Sequence, residues 1–289
     1  MYPAAFAYSA PETLDEALAT LSQEGESARV LAGGQSLIPM MKLRLASPAH
    51  LVDINNISGL DHINSANGYL RIGALVRHND IVNSADIAAH NGAIASAAPW
   101  VADPLVRNRG TLCGSVAHCD PEGDWNSVML AVRAEVVAQS ATGERVIPID
   151  DFVVDFFTNS LEPGEIVTEV RIPKYTGKGG GAYLKLERKI GDYATVAVAT
   201  QLQLGDDGKI SEAGVALTAV NNKNTRAAAA EQALVGQEPS DHLFKEAGAL
   251  AARAAEPESN VRGTAEWKRN VVSVYTRRGL EASLAQARA

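Results

Sequence analysis

Hydrophobic positions near the start of the chain first follow the period of a helix and then the pattern of strands. Apolar side chains recur at i, i+3, i+4 and i+7 between Leu14 and Leu21, which predicts a helix with one buried face. Thr13 and Glu16 form a capping-box pattern at its start, and Gly25 predicts its end. Two short apolar runs follow, at residues 28–32 and 50–54, and we interpret both as buried strands.

The next part of the chain, residues 60–172, alternates short apolar runs with turn residues. The runs YLRIGAL and EVVAQS alternate as half-buried strands do, and a helical pattern covers residues 79 to about 89. Glycine and proline then cluster in RIPKYTGKGGG, residues 171–181, which is the best candidate for a domain boundary. We therefore expect one domain at residues 1–176, with subdomains of about 1–57 and 58–176, and a second at residues 177–289.

Beyond this boundary the pattern predicts a small sheet followed by helices. Three runs, residues 183–188, 194–204 and 209–220, have the composition of strands. Alanine-rich helical segments begin near Thr225, Ser240 and Thr264. A sheet with helices over one face is an α+β arrangement, so α+β is the fold class that we expect.

Composition and charge exclude several classes of function. The chain has 289 residues, of which 46% are hydrophobic and 21% charged, as in ordinary globular proteins. Its net charge of -8 disfavours nucleic acid, and we find no basic stripe with interleaved aromatic residues. The longest apolar run, residues 93–102, is interrupted and too short to span a bilayer, so we expect a soluble, cytoplasmic chain without a transmembrane segment.

The two cysteines restrict the metal chemistry of the chain. Cys113 and Cys119 lie in one short segment. An iron–sulfur cluster usually needs four thiolates and a structural zinc ion four Cys or His ligands, so these cysteines alone cannot build either site. We interpret them as small buried thiols, and we assign no metal ligand in this chain.

A glycine-rich stretch directly after the second predicted element is the first candidate binding loop. In the run AGGQS the residues Gly33 and Gly34 follow an apolar strand and precede Gln35 and Ser36. Such a turn can expose successive backbone N–H groups that hold a pyrophosphate without positive charge, although an ordinary tight turn has the same composition. The fingerprints GxGxxG and GxxxxGK[ST] are absent from the sequence, so neither a Rossmann site nor a P-loop is indicated.

A second segment repeats this combination of small and hydroxyl residues. In RNRGTLCGSVAHCDPEGDW the residues Gly110, Thr111, Gly114 and Ser115 precede three acids at alternate positions, Asp120, Glu122 and Asp124. The acids lack the glycine and the distal glutamate of a calcium loop. One Asp on the hydroxyls of a ribose fits better, and a solvated turn is the alternative. Two such loops could close on one elongated ligand.

Three segments together resemble a known family. AGGQS with LIPMMKLRLASPAHLVDI, then RNRGTLCGSVAHCDPEGDW, then LKLERKIGDYATVAVA are similar to the FAD-binding medium subunit of carbon monoxide dehydrogenase-type molybdenum hydroxylases, the wider family of xanthine dehydrogenase. The resemblance runs from Pro3 to about Arg278, with the segments in the same order and spacing. It implies a vanillyl-alcohol-oxidase or PCMH-type FAD-binding fold of two α/β subdomains. A C-terminal three-stranded antiparallel sheet with helices would then cover the flavin.

The resemblance also implies roles for particular residues. The first pyrophosphate loop would be residues 32–36, and the second would use Thr111, Gly114 and Ser115. Asp124 would hold the adenosine ribose, with His118 near the phosphates. Val101, Ala102 and Leu161 would line the flavin, Lys185 would lie near its ring and Tyr193 over it. No catalytic acid or base is assigned. The full expected cofactor-binding set is Ala32, Gly33, Gly34, Gln35, Ser36, Leu37, Val101, Ala102, Thr111, Gly114, Ser115, His118, Asp120, Asp124, Leu161, Lys185 and Tyr193.

The second loop departs from the family pattern at two positions. The family has TIGGN where this chain has TLCGS, so Cys113 replaces a glycine and Ser115 replaces an asparagine. Ser115 can still donate one hydroxyl hydrogen bond. If the glycine position requires a positive φ, Cys113 would cost on the order of 1–2 kcal/mol and weaken FAD binding.

The resemblance finally implies a function that needs partner subunits. A large subunit would carry molybdenum with molybdopterin cytosine dinucleotide, and a small subunit would carry two [2Fe–2S] clusters. This chain would pass electrons through FAD to an external acceptor, a quinone or similar, within a dimer of heterotrimers that could meet a membrane peripherally through its partners. The alternatives are a flavin-free scaffold subunit and a stand-alone flavoprotein oxidoreductase. The substrate stays open among carbon monoxide, purines, N-heterocycles and aldehydes.

Overall fold

The first part of the structure, a computed structural model that describes residues 2–175 and 177–289, is a small parallel sheet with two helices. Residues 1 and 176, the outer ends of the predicted first domain, lie outside the described residues. The sheet has the order β1-β3-β2, with both pairs parallel. Its elements are β1 (Ala7–Ser9), α1 (Leu14–Glu24), β2 (Ala28–Leu31), α2 (Leu37–Lys42) and β3 (His50–Asp53).

Helix α1 follows the sequence pattern closely. Ala17, Leu18 and Leu21 are buried, and the Thr13 hydroxyl accepts a hydrogen bond from the Glu16 N–H at 3.3 Å. The Glu16 carboxylate accepts a hydrogen bond from the N–H of Glu12, one residue before the cap. A standard capping box would use the N–H of Thr13, so the predicted box differs in this one bond. The helix ends at Gly25, whose φ of +59° favours glycine.

The second part is an antiparallel sheet with seven short helices. The sheet has the order β4-β5-β10-β6-β7, and β8 pairs with β9 in a separate hairpin. The elements are β4 (Ile63–Ala66), β5 (Tyr69–Gly73), α3 (His78–Val82), α4 (Ala85–His90), α5 (Gly92–Ala97), α6 (Pro104–Arg107), α7 (Leu112–His118), α8 (Asp124–Ala131), β6 (Glu135–Ser140), β7 (Gly143–Pro148), α9 (Ile149–Phe152), β8 (Val153–Asp155), β9 (Thr158–Asn159) and β10 (Ile166–Pro173).

The single helix expected over residues 79–89 is two helices, α3 and α4. The break falls at Ser84, whose hydroxyl accepts a hydrogen bond from the N–H of Ile87 at 3.3 Å. Ser84 thus caps a new helix instead of continuing the previous one. The pattern over this region predicted strands at β5 and β6 and a helix at α3 and α4, but gave no signal for the short helices α5 to α8.

The third part is an antiparallel sheet covered by three helices. Its order is β11-β12-β13-β14. A fourth strand of two residues, β14, adds to the three that were expected. The elements are β11 (Lys178–Leu186), β12 (Val196–Leu204), β13 (Ile210–Thr218), β14 (Thr225–Arg226), α10 (Ala228–Leu234), α11 (Asp241–Arg253) and α12 (Ala265–Arg288).

Strand β11 begins earlier than the sequence suggested because its glycines are needed for packing. A Cβ on Gly180 would overlap the carbonyl oxygen of Ser283 on α12. A Cβ on Gly181 would lie 2.7 Å from the backbone nitrogen of Ala93 on α5. The glycine run that looked like a linker is therefore strand, and it lets two helices approach the sheet closely.

Strand β12 joins two hydrophobic cores. Ala197 and Ala199 belong to the core that runs through the first two parts of the chain. Val196 and Val198, which alternate with them, pack beneath α10, α11 and α12. Because side chains of this strand belong to both cores, β12 packs the third part directly against the other two. The expected α+β class is confirmed.

Candidate functional site

A cleft of about 940 Å³ lies where the loops of all three parts meet. Its size is that of a site for a large cofactor, toward the upper end of the roughly 300–1,000 Å³ typical of ligand sites. Asp120 and Lys185 are the two predicted binding residues that do not line it. The predicted residues that do are Ala32, Gly33, Gly34, Gln35, Ser36, Leu37, Val101, Ala102, Thr111, Gly114, Ser115, His118, Asp124, Leu161 and Tyr193.

The two glycine-rich loops are in direct contact with each other. A Cβ on Gly33 would lie 2.5 Å from the carbonyl oxygen of Arg109 and 2.7 Å from the Cα of Gly110. Gly34 has a φ of +72°, which only glycine adopts without strain. Gly33 is thus required by the approach of the second loop, and Gly34 by the turn itself.

Backbone N–H groups of the first loop remain available for a ligand. The carbonyl of Gly34 accepts the first hydrogen bond of the α2 turn, from the N–H of Ile38 at 3.0 Å. The N–H groups of Gln35, Ser36 and Leu37 precede that bond and have no partner within the helix. Their partial positive charge suits a phosphate group.

The second loop uses more of its own N–H groups internally. The Thr111 hydroxyl accepts from the N–H of Gly114 at 3.1 Å, and the Thr111 carbonyl accepts from the N–H of Ser115 at 3.1 Å. Ser115 therefore offers a ligand its hydroxyl only. The backbone N–H groups left free at this helix start belong to Leu112 and Cys113.

Cys113 carries no backbone penalty, which corrects the conditional expectation from the sequence. It lies in the first turn of α7 and is not among the residues with positive φ. Its Sγ donates to the carbonyl of Ile72 at 3.5 Å, and its side chain is buried. Burial raises the pKa of the thiol far above its usual value, so it stays protonated and unreactive.

Two residues that the sequence did not single out connect the loops. Arg77 donates to the carbonyl of Arg109 at 2.7 Å and to the side-chain oxygen of Asn55. Asn55 donates from Nδ2 to the carbonyl of Ala32 at 2.8 Å. We call this connection the Asn55–Arg77 clamp. The position of Asn55 just beyond a parallel strand was a signal for a functional residue, whereas Arg77 gave none.

Two histidines stand at the cleft in the neutral form. Trp125 donates from its indole nitrogen to Nδ1 of His78 at 3.1 Å. Burial, with the charges of Arg107 and Arg77, lowers the pKa of His78 to about 3. His118 packs against Phe157 with ring centroids 4.9 Å apart, and burial lowers its pKa. Neither imidazole brings positive charge to the cleft at neutral pH.

The far end of the cleft is a wall of small apolar residues whose backbone is fixed by hydrogen bonds from Arg107. Ala102 has a φ of +46°, and Arg107 donates to the carbonyls of Val101 and Ala102 at 3.0 and 2.9 Å. Gly191, with a φ of +82°, packs so that a Cβ would lie 3.1 Å from the carbonyl oxygen of Ala102. A flat ring could lie here against a wall that cannot easily move.

Asp124 and Lys185 form a buried ion pair rather than two separate ligand contacts. The Asp124 carboxylate accepts from the Tyr183 hydroxyl at 2.6 Å and from Lys185 Nζ at 3.1 Å. Burial raises the pKa of Asp124, while Lys185 and Tyr183 lower it. Lys185 lies behind Asp124 and does not line the cleft. A ribose contact of Asp124 stays a prediction, and it would share oxygens already bonded to these two side chains.

Asp120 also acts behind the cleft, through Tyr193. Its carboxylate accepts from the N–H of Glu122 at 2.9 Å and is hydrogen-bonded to the Tyr193 side chain. Burial of the hydroxyl, with the nearby carboxylates of Asp120, Glu122 and Asp124, raises the pKa of Tyr193 to about 12. Tyr193 is therefore a neutral side chain at the cleft mouth, held by Asp120.

Over residues 2–175 and 177–289, no cluster of three or more His, Cys, Asp or Glu side chains could hold a metal ion. In the same residues, no helix is long and apolar enough to cross a membrane.

The cleft fits an adenine dinucleotide with a flat ring at one end. Glycine-rich turns and an apolar wall line it, and the groups in it that suit a phosphate are backbone N–H groups, not lysines. These features define a flavin nucleotide-binding protein of α+β architecture.

The chain is similar in sequence to known proteins over nearly its full length. Residues 4–175 match the family described as "FAD binding domain in molybdopterin dehydrogenase", and residues 181–283 match "CO dehydrogenase flavoprotein C-terminal domain". The carbon monoxide dehydrogenase medium chain of Hydrogenophaga pseudoflava is 37% identical, over 99% of each chain. The 6-hydroxypseudooxynicotine dehydrogenase complex subunit alpha of Paenarthrobacter nicotinovorans is 35% identical, over 100% of this chain and 97% of that protein.

The fold is also similar to a solved structure over nearly the whole chain. Carbon monoxide dehydrogenase from Hydrogenophaga pseudoflava, in a form that lacks the Mo-pyranopterin moiety, superimposes with a TM-score of 0.94, 40% identity and 99% coverage of both chains. This chain belongs to the family of FAD-binding domains in molybdopterin dehydrogenases. It is the flavoprotein subunit of an oxidoreductase of the molybdenum hydroxylase type, and its cofactor is FAD.

Proposed function

We propose that the cleft binds FAD with its pyrophosphate between the two glycine-rich loops and its ring at the far end. The observation that carries the proposal is the contact of Gly33 with Arg109 and Gly110, which brings both sets of N–H groups to one place. Val101, Ala102, Leu161 and Tyr193 then surround the isoalloxazine ring. The remaining predicted residues contact the phosphates and the sugar hydroxyls, and Asp124, which Lys185 joins to the carbonyl of Trp100, lies beside the ring end. Lys185 and Asp120 act through Asp124 and Tyr193.

We propose further that the chain relays electrons between partner subunits and an acceptor. FAD supplies the ability to accept electrons one at a time and to deliver two. The residues of this chain bind and orient it, keep water from one ring face with the Ala102–Gly191 wall, and hold no acid or base of their own at the reacting atoms. The donor would be a [2Fe–2S] cluster of a small subunit, after substrate oxidation at molybdopterin-bound molybdenum in a large subunit.

The same comparisons support a proposal for the setting of the complex. Relatives are named as chains or subunits of dehydrogenase complexes, which supports large and small partners and, as a finer proposal, a dimer of heterotrimers in the cytoplasm. We propose a quinone or similar acceptor, reached at a membrane through the partners. The names of relatives with similar identity include carbon monoxide and a nicotine derivative, so this subunit does not identify the substrate.

The division into domains supports the same picture. We propose that residues 1–176 bind the cofactor and that residues 177–289 cover its ring. The supporting observation is that the third part contributes Gly191, Asp192 and Tyr193 to the cleft, whereas the glycine-rich loops come from the first two parts.

The experiment that tests the relay compares the complete complex with and without FAD. FAD is removed by mild chaotrope, and the complex is then reduced anaerobically with substrate while cluster and acceptor spectra are recorded. We expect the clusters to be reduced in both forms, but the acceptor to be reduced only when FAD is present or restored. Equal acceptor reduction without FAD would contradict the relay and favour a scaffold role.

A further inference from the structure

A buried lysine behind the far end of the cleft has two hydrogen-bond acceptors and a second carboxylate beside it. The side chain of Lys185 is 1% exposed. Its Nζ donates to the carbonyl of Trp100 at 3.0 Å and to Asp124 at 3.1 Å. The third partner is the carboxylate of Glu187, at 3.5 Å. A buried ammonium with this set of acceptors is fixed in one position.

Glu187 contacts both the lysine and the cleft loop. Its side chain is 8% exposed, and its Oε1 accepts from the N–H of Gly191 at 3.3 Å. Its Oε2 faces Lys185 and has no hydrogen-bond partner within the described residues. Its contact with the lysine is therefore an ion pair without a hydrogen bond, and the N–H of Gly191 holds the carboxylate in place.

These contacts join three separate walls of the cleft. The Trp100 carbonyl precedes Val101 and Ala102, Asp124 begins α8, and Gly191 begins the short stretch that ends at Tyr193. Lys185 bonds to the first two, and Glu187 bonds to the third. The pair therefore lies at the point where the walls around the ring position meet.

We propose that Glu187 is a positioning residue that lowers the reduction potential of the flavin by offsetting the charge of Lys185. One ammonium group faces two carboxyl groups here, so the ring sees less positive charge than Lys185 alone would provide. Charges act strongly in such a buried setting, because little solvent screens them. A low potential favours delivery of electrons to the acceptor. This inference rests on the proposed position of FAD.

The test is the potential of the bound flavin in the complete complex, measured by anaerobic dye titration. Glu187→Gln removes the charge but keeps an oxygen that can accept from Gly191. We expect the ratio of oxidised to reduced flavin at a fixed potential to fall about tenfold, a shift of about 30 mV upward for a two-electron couple. FAD content should stay equal to that of the wild type.

Two further variants test whether the charge of Glu187, and not the shape of its side chain, sets the flavin potential. Glu187→Asp keeps the charge on a shorter side chain and should leave the ratio within about threefold of the wild type. Glu246→Gln removes an exposed charge on α11 and should leave it unchanged. Two results would overturn this inference and leave the proposed function standing. One is a Glu187→Gln complex that contains FAD at an unchanged potential, and the other is an equal shift of the potential in Glu187→Asp. A wild-type complex without FAD would overturn the proposed function with it.

Discussion

At the scale of single residues, the glycines were predictable but the side chains that support them were not. The run AGGQS marked the first loop because Gly-Gly after a strand has few structural meanings. Asn55 and Arg77, by contrast, are ordinary polar residues whose importance arises from contacts across 22 and 32 positions of sequence. Lys185 was expected near the ring. Its side chain is instead buried behind Asp124, and this position depends on packing that no local sequence pattern encodes.

The Asn55–Arg77 clamp predicts a specific loss of affinity. Arg77→Leu removes the bonds to Arg109 and Asn55, so the two loops lose their connection while the fold persists. We expect FAD to bind about tenfold more weakly, since hydrogen bonds from a charged donor contribute roughly 1.5–3 kcal/mol each and part is regained from water. The measurement is the dissociation constant of FAD by fluorescence quenching.

Arg109→Leu is the matched control for the clamp. Arg109 contributes its backbone carbonyl to the clamp, and its exposed side chain can be removed without breaking that bond. Affinity should change by less than about threefold. Equal weakening in both variants would mean that general positive charge, and not the clamp, supports binding.

At the scale of elements, long periodic patterns were reliable and short helices were not. Helix α1 and strands β2, β3, β12 and β13 appear where their patterns placed them, within two or three residues. Helices α5, α6 and α7 have only four to seven residues, too short for a helical period to show. They are stabilised by caps such as Asp103 and Thr111 and by burial, which a sequence pattern does not resolve.

The loop contact predicts that Gly33 tolerates no side chain. Gly33→Ala places a Cβ against the backbone of Arg109 and Gly110, neither of which can rotate away. We expect the loops to separate, FAD content to fall at least tenfold, and the melting temperature to drop. Gly177→Ala is the control, because its Cβ would lie 3.4 Å from the nearest atom, in ordinary contact. Wild-type FAD content in Gly33→Ala would refute the role given to this contact.

At the scale of the whole molecule, the order of the three parts was predictable and their junction was not. The boundary near residues 171–181 stays a prediction from the cluster of glycine and proline. At the junction, strand β12 contributes side chains to two cores, and glycines of β11 pack closely against helices. These contacts join residues that are far apart in the sequence. Similarity to known proteins gave the cofactor and the family, while the charge arrangement around Lys185 came from this structure.

A buried histidine predicts how the stability of the whole molecule depends on pH. His78 is buried beside Trp125 with its pKa near 3, against an ordinary value of 6.5. Below pH 6.5 the unfolded chain binds a proton that the folded chain does not, until about pH 3. His78 therefore makes stability fall with decreasing pH in that window, by up to about 1.4 kcal/mol per pH unit.

Urea unfolding at several pH values measures this effect. In His78→Gln the additional loss of stability between pH 6.5 and about 4 should disappear relative to the wild type. His242→Gln, an exposed histidine on α11, should retain the wild-type slope. Parallel pH profiles for the wild type and His78→Gln would show that His78 is not held neutral by burial.

The central claim is that the loop contact at Gly33 creates an FAD site, and FAD content tests it most directly. The chain is purified with its partner subunits, its visible spectrum is recorded, and the compound released on denaturation is identified. We predict that denaturation releases FAD at about one molecule per chain. A folded complex that releases no FAD and takes up none on reconstitution would contradict the account.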